Sequence, residues 1–392
     1  MAGIYIHIPF CRSKCAYCDF FSLPATASLK KDADCFTKYL EAVKRELVLR
    51  IDELTAPATT IYIGGGTPTA IPLCQLAPFL SWIYREAVSR NQKFDGEAVT
   101  EFTVEANPED ISSDLIDSLR QSGVNRISIG IQSFDTAQLD AIMRRHDSDA
   151  SFRALSILRE SGINYSADLI YGLPQQSLES WSSQIKSLLD FEPPHFSAYL
   201  LSYEPGTRLY ARKEQGKVTE ADEHTACRMY GILTEAARER GYNHYEISNF
   251  SIPGKEARHN SSYWNLTPYL GLGCSAHSFD GDTRRINPAN LGSYINSLLA
   301  SDPTPPYTEE AETLINKVND YIITSLRTSA GLSLLRIREK WGSDIASRVL
   351  SNITRIYKEG GITSKGDASF RIPEQLWLTS DAILREVILD AD

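Results

Sequence analysis

The chain has 392 residues, of which 42% are hydrophobic and 23% are charged, as in an ordinary globular protein with a large core. Its formal net charge of -10 disfavours a sequence-independent nucleic-acid binder, which would present a basic surface to the phosphates. No apolar run approaches the roughly 20 residues that a membrane-spanning helix needs, so we expect a cytoplasmic protein without a membrane span.

Six short runs rich in β-branched and aromatic residues alternate with helical segments over the first half of the chain. Helical periodicity is clear over 35–51, where Phe36, Leu40 and Val43 recur at steps of three or four residues. The runs are usually separated by about 30 to 45 residues, as expected of βα units that build a parallel sheet or a barrel. We therefore predict an α/β fold, a partial (β/α)6 barrel, with strands at 4–8, 60–63, 101–105, 126–131, 165–170 and 196–201.

A change in composition after residue 300 predicts a domain boundary. The run Ser-Asp-Pro-Thr-Pro-Pro at 301–306 cannot continue a helix or a central strand. We expect a barrel domain over 1–300 and a small C-terminal α+β domain over 301–392. The elements predicted in the second domain are typical of a winged helix: helices at 310–327, 334–341 and 346–359, then a hairpin around 365–367.

Three of the seven cysteines, Cys11, Cys15 and Cys18, lie together on the loop after the first predicted strand. An odd total with one tight group is typical of metal ligands and not of a disulfide framework. Three thiolates can hold three irons of a four-iron cluster and leave the fourth iron open to a small molecule. Zinc is the main alternative, but zinc normally takes four ligands and no second ligand pair lies at zinc spacing. His7, inside the first strand, is expected to be structural.

Polar groups also follow the later strands, and a barrel collects its active-site loops at the C-terminal ends of its strands. The second strand ends in Gly64-Gly65-Gly66-Thr67, whose glycines allow the backbone to approach a ligand closely. Alone, each polar group is more simply explained as a satisfied strand end or a surface ion pair. Together they predict a ring, whose other members are Glu105, Gln132 and Asp168 at strand ends and Arg144 in a helical segment predicted over 137–145.

The CxxxCxxC spacing of Cys11, Cys15 and Cys18 resembles the signature of the radical S-adenosyl-L-methionine (SAM) superfamily. The segments IYIGGGTPT, RISIGIQSFD and DLIYGLP are similar to those of the subfamily that contains oxygen-independent coproporphyrinogen III oxidase and the haem chaperone HemW. The resemblance implies a radical SAM barrel in which the three cysteines hold a [4Fe-4S] cluster and the open iron binds SAM. By position in the family pattern, the SAM-binding residues are Tyr5, Tyr17, Gly65, Gly66, Thr67, Glu105, Gln132, Arg144 and Asp168.

Two functions are compatible with this resemblance: a haem chaperone, and a radical enzyme that decarboxylates porphyrinogen propionates. The oxidases carry a further cysteine where this chain has Phe20, and an N-terminal extension where this chain has a short segment before Cys11. The run His-Asn-Ser-Ser-Tyr-Trp at 259–264 resembles the HNxxYW motif of HemW proteins, which makes His259 the candidate haem contact and His277 a weaker rival.

The resemblance therefore favours a HemW-like chaperone that carries haem as cargo. The oxidase is the alternative, and enzymatic activity is left open. The resemblance also implies two kinds of partner, haem-accepting proteins and an electron donor. The net negative charge of the chain argues against DNA binding by the winged-helix-like domain. Cys35, Cys74 and Cys227 are expected to pack as small apolar side chains within helices, and Cys274 has no assigned role.

Overall fold

The computed structural model describes residues 1–366 and 368–390. Its strands, in chain order, are β1 (Ala2–Ile8), β2 (Phe10–Cys11), β3 (Leu23–Pro24), β4 (Ala58–Gly65), β5 (Glu101–Ala106), β6 (Arg126–Gln132), β7 (Asn164–Tyr171), β8 (His195–Leu200), β9 (Asn243–Glu246), β10 (Asn249–Ser251), β11 (Tyr269–Leu272), β12 (His277–Phe279), β13 (Thr283–Ile286), β14 (Thr308–Ala311), β15 (Leu332–Ser333), β16 (Thr363–Gly366) and β17 (Ser369–Arg371). A twelve-stranded sheet has the order β14-β13-β12-β11-β1-β4-β5-β6-β7-β8-β10-β9.

The centre of this sheet is parallel and follows chain order. Strands β1, β4, β5, β6, β7 and β8 pair side by side, and β11 pairs in parallel with the other edge of β1. Parallel neighbours need a crossover connection, and helices lie between each consecutive pair. The six predicted strands correspond to these six, and the predicted α/β class is confirmed as a mostly parallel sheet with helices.

Helices supply the rest of the core. In chain order they are α1 (Ala25–Lys31), α2 (Cys35–Arg50), α3 (Leu73–Asn91), α4 (Ser113–Gln121), α5 (Thr136–Ala141), α6 (Ser148–Ser161), α7 (Leu178–Leu189), α8 (Arg208–Glu214), α9 (Glu223–Glu239), α10 (Arg258–Trp264), α11 (Leu291–Leu299), α12 (Leu314–Leu326), α13 (Leu334–Trp341), α14 (Ser343–Lys358) and α15 (Ser380–Val387). In α2 the predicted apolar face is buried, including Phe36, Leu40 and Val43. Within the described residues, none of the helices has the length and apolar character that a membrane crossing requires.

The C-terminal part of the chain has the element order of a winged helix. Helix α12 is followed by the short strand β15, helices α13 and α14, and the hairpin β16–β17, which pairs with β15. Asp367, in the predicted wing, lies outside the described residues. The helix predicted over 310–327 begins only at Leu314, because Thr308–Ala311 forms β14 and pairs with β13 in the main sheet. The domain boundary at 300 stays a prediction.

Alternation along the strands decides which side chains face the interior of the barrel. On β1, Ile4 and Ile6 are fully buried in the core that packs against the helices, while Tyr5 between them faces the other way. On β5, Val104 is fully buried and the neighbouring Glu105 faces the opposite side. The interior face therefore carries the polar side chains that were expected at a ligand site.

Candidate functional site

A cavity of about 490 Å³ opens at the C-terminal ends of the parallel strands. Ligands bind at this edge in parallel α/β folds, because the loops that follow the strands meet there. Of the described residues that were expected at the site, Tyr5 and His259 lie outside its lining. The expected residues that do line it are Cys11, Cys15, Tyr17, Cys18, Gly65, Gly66, Thr67, Glu105, Gln132, Arg144 and Asp168.

The three cysteines of the first loop lie on the wall of this cavity as free thiols. The Thr67 hydroxyl is 3.7 Å from Cys11 Sγ, and Arg144 Nη1 is 3.5 Å from Cys15 Sγ. Burial raises the pKa of the Cys11 thiol and raises that of Cys18 to about 11, so metal binding would have to displace their protons.

Three thiols on one wall, each available to a different iron, fit a four-iron cluster. Within residues 1–366 and 368–390, no three His, Cys, Asp or Glu side chains converge on the position of a single metal ion. The hydrogen-bond donors that Thr67 and Arg144 direct at two of the sulfurs would stabilise thiolate ligands.

His7 holds the cluster loop against β1. Its Nε2 lies 2.8 Å from the Phe21 carbonyl oxygen, which can only accept, so Nε2 carries the proton. Its Nδ1 then accepts a hydrogen bond from the Tyr5 hydroxyl at 3.0 Å. Burial lowers the pKa of His7, which favours this neutral form. Tyr5, expected to contact SAM, thus acts in this structure through His7, and its SAM contact stays a prediction.

The glycines after β4 are required by the packing of the protein itself. Gly65 has a φ of 97°, and a Cβ there would overlap the His7 ring. A Cβ on Gly66 would lie 2.5 Å from the Ile8 carbonyl oxygen. These contacts between β4 and β1 are a structural reason for the two glycines, and their close approach to a ligand stays a prediction. The Gly65 amide instead donates to Glu105 Oε2 at 3.0 Å.

Two half-buried carboxyl groups face the cavity from β5 and β7. Glu105 accepts hydrogen bonds from the Gly65 amide and from the Tyr62 hydroxyl, the latter at 2.7 Å, and burial raises its pKa to about 7. Burial also raises the pKa of Asp168 to about 6, and Ser128 Oγ donates to its Oδ2 at 3.3 Å. Both groups are acceptors that suit an ammonium group or sugar hydroxyls, and a positively charged ligand would favour their ionised forms.

Arg144 reaches the cavity from a loop and not from the helix predicted over 137–145. Helix α5 ends at Ala141, and Met143 has a left-handed φ of 60°, which ends helical geometry. From this loop, Arg144 Nη2 donates to the Gly130 carbonyl at 2.6 Å and to Asn107 Oδ1 at 2.9 Å. Its guanidinium group is thereby fixed beside Cys15.

Gln132 marks a distorted strand end at the site. The pairing of β6 with β7 shifts register between Gly130 and Gln132, and Gln132 has a φ of 65°. Left-handed backbone is unfavourable for a side chain other than glycine or asparagine, and such strain is concentrated at functional sites. The register shift turns a strand residue toward the cavity.

His259 lies on α10 and is fully buried beside the floor of the barrel. Its Nδ1 is 2.9 Å from Thr60 Oγ1, and its Nε2 is 2.9 Å from the Tyr263 hydroxyl. Its ring stacks on Tyr62 with centroids 5.2 Å apart, and burial lowers its pKa to about 3. Because both ring nitrogens have partners, iron ligation would require these hydrogen bonds to break. The haem contact of His259 stays a prediction.

Asn260, the next residue of α10, reaches the cavity lining instead. Glu101 fixes the start of this helix, because its carboxylate accepts from the backbone N–H groups of Arg258 at 2.8 Å and His259 at 3.0 Å. Successive helical residues point about 100° apart, so burial of His259 turns Asn260 toward a different side. The sequence reasoning missed Asn260, although it stands inside the motif, and it also missed Tyr62 and Asn107, which only their contacts reveal.

The other singled-out histidine and cysteines lie outside the cavity lining in the described part of the chain. His277 is exposed at the start of β12. Cys35 is buried as expected and Cys227 is half-buried, but the expectation for Cys74 is wrong because it is exposed in the first turn of α3. Cys274 is buried, and its backbone amide donates to the Tyr39 hydroxyl at 3.1 Å.

Comparison with known proteins identifies the family of the chain. Residues 5–185 match the Radical SAM superfamily. The chain is 33% identical to "Heme chaperone HemW" of Bacillus subtilis over 94% of its own length and 95% of that protein. It is 33% identical to "Heme chaperone HemW" of Lactococcus lactis over 91% of its length and 89% of that protein.

A solved structure shares the whole fold. The coproporphyrinogen III oxidase HemN of Escherichia coli superposes with a TM-score of 0.79 at 22% identity, covering 99% of this chain and 90% of that chain. The cysteine-lined cavity thus lies on a fold shared with a solved radical SAM enzyme. The chain therefore belongs to the radical SAM superfamily, in the family of the HemW proteins.

Proposed function

We propose that the chain is a haem chaperone, which binds haem and passes it to haem-accepting proteins in the cytoplasm. The observation that carries this proposal is the match to curated HemW proteins over nearly the full length of both chains, 94% and 95% for the Bacillus relative. Phe20 supports the same reading, because it stands where the oxidases of the subfamily carry a further cysteine.

We further propose that Cys11, Cys15 and Cys18 hold a [4Fe-4S] cluster and that SAM lies beside it in the cavity. When bound, the cluster supplies an electron and an iron site that is open to SAM. The chain's own groups would bind and orient SAM through the Glu105 and Asp168 carboxylates. An external electron donor is then a further expected partner.

The alternative function is that of an oxygen-independent coproporphyrinogen III oxidase, and the shared fold with HemN is what favours it. Both functions use the same cluster ligands and the same cavity. They differ in whether a porphyrin is bound and released unchanged or loses carboxyl groups from its propionates. A direct comparison of binding and turnover separates them.

The test uses the full chain, reconstituted anaerobically with iron and sulfide. One sample is titrated with haem, and binding is followed by the Soret absorbance. A parallel sample receives coproporphyrinogen III, SAM and a reductant, and the products are separated by chromatography. Stoichiometric haem binding without decarboxylated product supports the chaperone. Catalytic decarboxylation would overturn it in favour of the oxidase.

A further inference from the structure

The mouth of the cavity combines exposed apolar side chains with two cations. We propose that haem docks on this mouth, on a surface formed by Lys14, Phe20, Arg145, Tyr199 and Leu200, here called the rim. The proposal rests on the haem chaperone function proposed above and gives that function a binding site. All five residues line the opening of the cavity that contains the cluster cysteines.

The apolar part of the rim is unusually exposed. Phe20 is 61% exposed, Tyr199 41% and Leu200 38%, although each borders a large cavity. They come from two distant parts of the chain, the cluster loop and the end of β8. Exposed apolar groups around one cavity are typical of a binding surface, because water contact with them is unfavourable. A flat macrocycle is a suitable occupant for such a surface.

The charged part of the rim is cationic, although the whole chain has a net charge of -10. The Lys14 ammonium group donates to the Phe20 carbonyl oxygen, a neutral acceptor, at 3.2 Å. The Arg145 side chain is 50% exposed and lies 4.0 Å from Glu109, too far for a strong ion pair. Both cations are therefore available to carboxylates of a ligand, although Asp19 and Glu109 on the same lining reduce the local positive charge.

Haem matches both parts of the rim. Its macrocycle is apolar on both faces, and its two propionates lie on one edge of the ring. Contact of the ring with Phe20 and Leu200 would remove their exposed surface from water. The propionates would form charge-assisted hydrogen bonds with Lys14 and Arg145. Haem is the proposed occupant, because a neutral apolar ligand would leave the two cations without partners.

The position of α10 agrees with docking from the open side of the cavity. His259 is fully buried with both ring nitrogens hydrogen bonded, while Asn260 contributes to the cavity lining. A haem on the rim needs no rearrangement of this buried histidine. Haem can therefore bind at the rim while His259 keeps its hydrogen bonds to Thr60 and Tyr263.

The test measures haem affinity of the reconstituted full chain carrying Arg145→Glu or Leu200→Asp. Each change is expected to weaken haem binding about tenfold. Arg145→Glu removes one charge-assisted hydrogen bond, and Leu200→Asp introduces a charge whose desolvation has a comparable cost. Matched controls are Arg159→Glu, an arginine 54% exposed beside Glu192, and Leu350→Asp, a leucine 42% exposed on α14. Unchanged affinity is expected for both controls. Iron content and the cluster absorbance confirm that each variant is folded and loaded.

Haem dimethyl ester, which lacks the carboxylate charges, isolates the charge contacts. It should bind the wild-type chain up to about a hundredfold more weakly than haem, because both propionate contacts are lost, and this difference should shrink in Arg145→Glu. If the wild-type chain binds haem and the rim variants bind it equally well, the rim is wrong and the chaperone function stands. If the wild-type chain binds no haem, both proposals fail.

Discussion

His259 joins α10 to β4 at one buried point. Its ring nitrogens are bonded to Thr60 on β4 and to Tyr263 on α10, and its ring supports Tyr62. We expect His259→Ala to lower the free energy of unfolding by about 2 to 4 kcal/mol, because two buried hydroxyl groups lose their partner and a cavity forms under Tyr62. Urea denaturation monitored by circular dichroism measures this change.

The control for this substitution is His277→Ala, which removes an exposed ring and should change stability by less than about 0.5 kcal/mol. The measurement also separates the two roles considered for His259. Unchanged stability together with lost haem affinity would restore the haem contact predicted from the motif. Lost stability with retained haem affinity in the folded fraction would assign the residue to the scaffold.

Glu105 should give SAM binding a dependence on pH. Its pKa in the free cavity is raised to about 7, so below that pH it carries a proton that a cationic ligand must displace. We expect the affinity for SAM to fall up to tenfold between pH 7 and pH 6, with a constant value above about pH 7.5. Equilibrium dialysis or calorimetry with the reconstituted chain gives this profile.

In Glu105→Gln the affinity should be lower at pH 7 and nearly constant from pH 7.5 to pH 6.5. A residual decrease toward lower pH would come from Asp168, whose pKa is raised to about 6. The raised pKa of Glu105 also opposes folding, because ionising this carboxyl group is harder in the folded chain than in the unfolded chain. The free energy of unfolding therefore falls as pH rises from about 4.5 to about 7. If the SAM affinity of the wild-type chain is the same at pH 7 and pH 6, Glu105 does not interact with the charge of the ligand.

At the scale of elements, the packing of β4 against β1 depends on a glycine that has ordinary backbone angles. A Cβ on Gly66 would lie 2.5 Å from the Ile8 carbonyl oxygen, and backbone atoms of adjacent buried strands cannot move apart cheaply. We expect Gly66→Ala to cost about 2 to 3 kcal/mol of stability and to reduce cluster loading. Chemical denaturation and iron content measure the two effects.

Gly231 provides the matched control, since it lies within α9 and a Cβ there meets nothing within 4 Å. Gly231→Ala should leave stability unchanged or raise it by about 0.5 to 1 kcal/mol, because alanine favours a helix more than glycine. A destabilisation of equal size in both variants would show that the contact with Ile8 is not the cause.

Elements with a strong local pattern were predictable, and those set by distant partners were not. Runs of β-branched and aromatic residues located the six parallel strands, and the periodicity of apolar residues located α2, because these residues are buried in the core. Glu310 and Ala311 were expected to begin a helix and instead end the exposed edge strand β14, which only its pairing with β13 explains. Cys74 lies on the exposed side of α3, where a helical pattern alone does not give the orientation.

The same distinction holds for the site. The cysteine spacing and the strand ends located most of the cavity lining, since both are properties of the local sequence. The role of Tyr5 depends on the tautomer of His7, and the roles of Tyr62 and Asn107 depend on contacts with Glu105 and Arg144. Such contacts arise from strand order and register, which one sequence does not reveal.

At the scale of the whole molecule, the main sheet continues past the proline-rich joint. Strand β14 lies after the joint and pairs along its length with β13. Arg284 on β13 makes ion pairs with Glu312 and with Asp320, the latter at 2.5 Å. Further contacts join the C-terminal part to the barrel, including His244 with Glu374 at 2.7 Å and Arg336 with the Asn265 carbonyl at 3.0 Å. We therefore expect the two predicted domains to behave as one unit.

Cleavage at a site for a sequence-specific protease inserted within 301–306 tests this expectation, because Ser301 and Asp302 are exposed. After cleavage the two fragments should elute together in size-exclusion chromatography and separate only in denaturant, since β14 stays hydrogen bonded to β13. Arg284→Ala should promote separation by removing both ion pairs of Arg284, whereas Arg159→Ala, at an ion pair remote from the joint, should not. Fragments that separate in native buffer would instead show that 301–392 is an independent domain tethered by its linker.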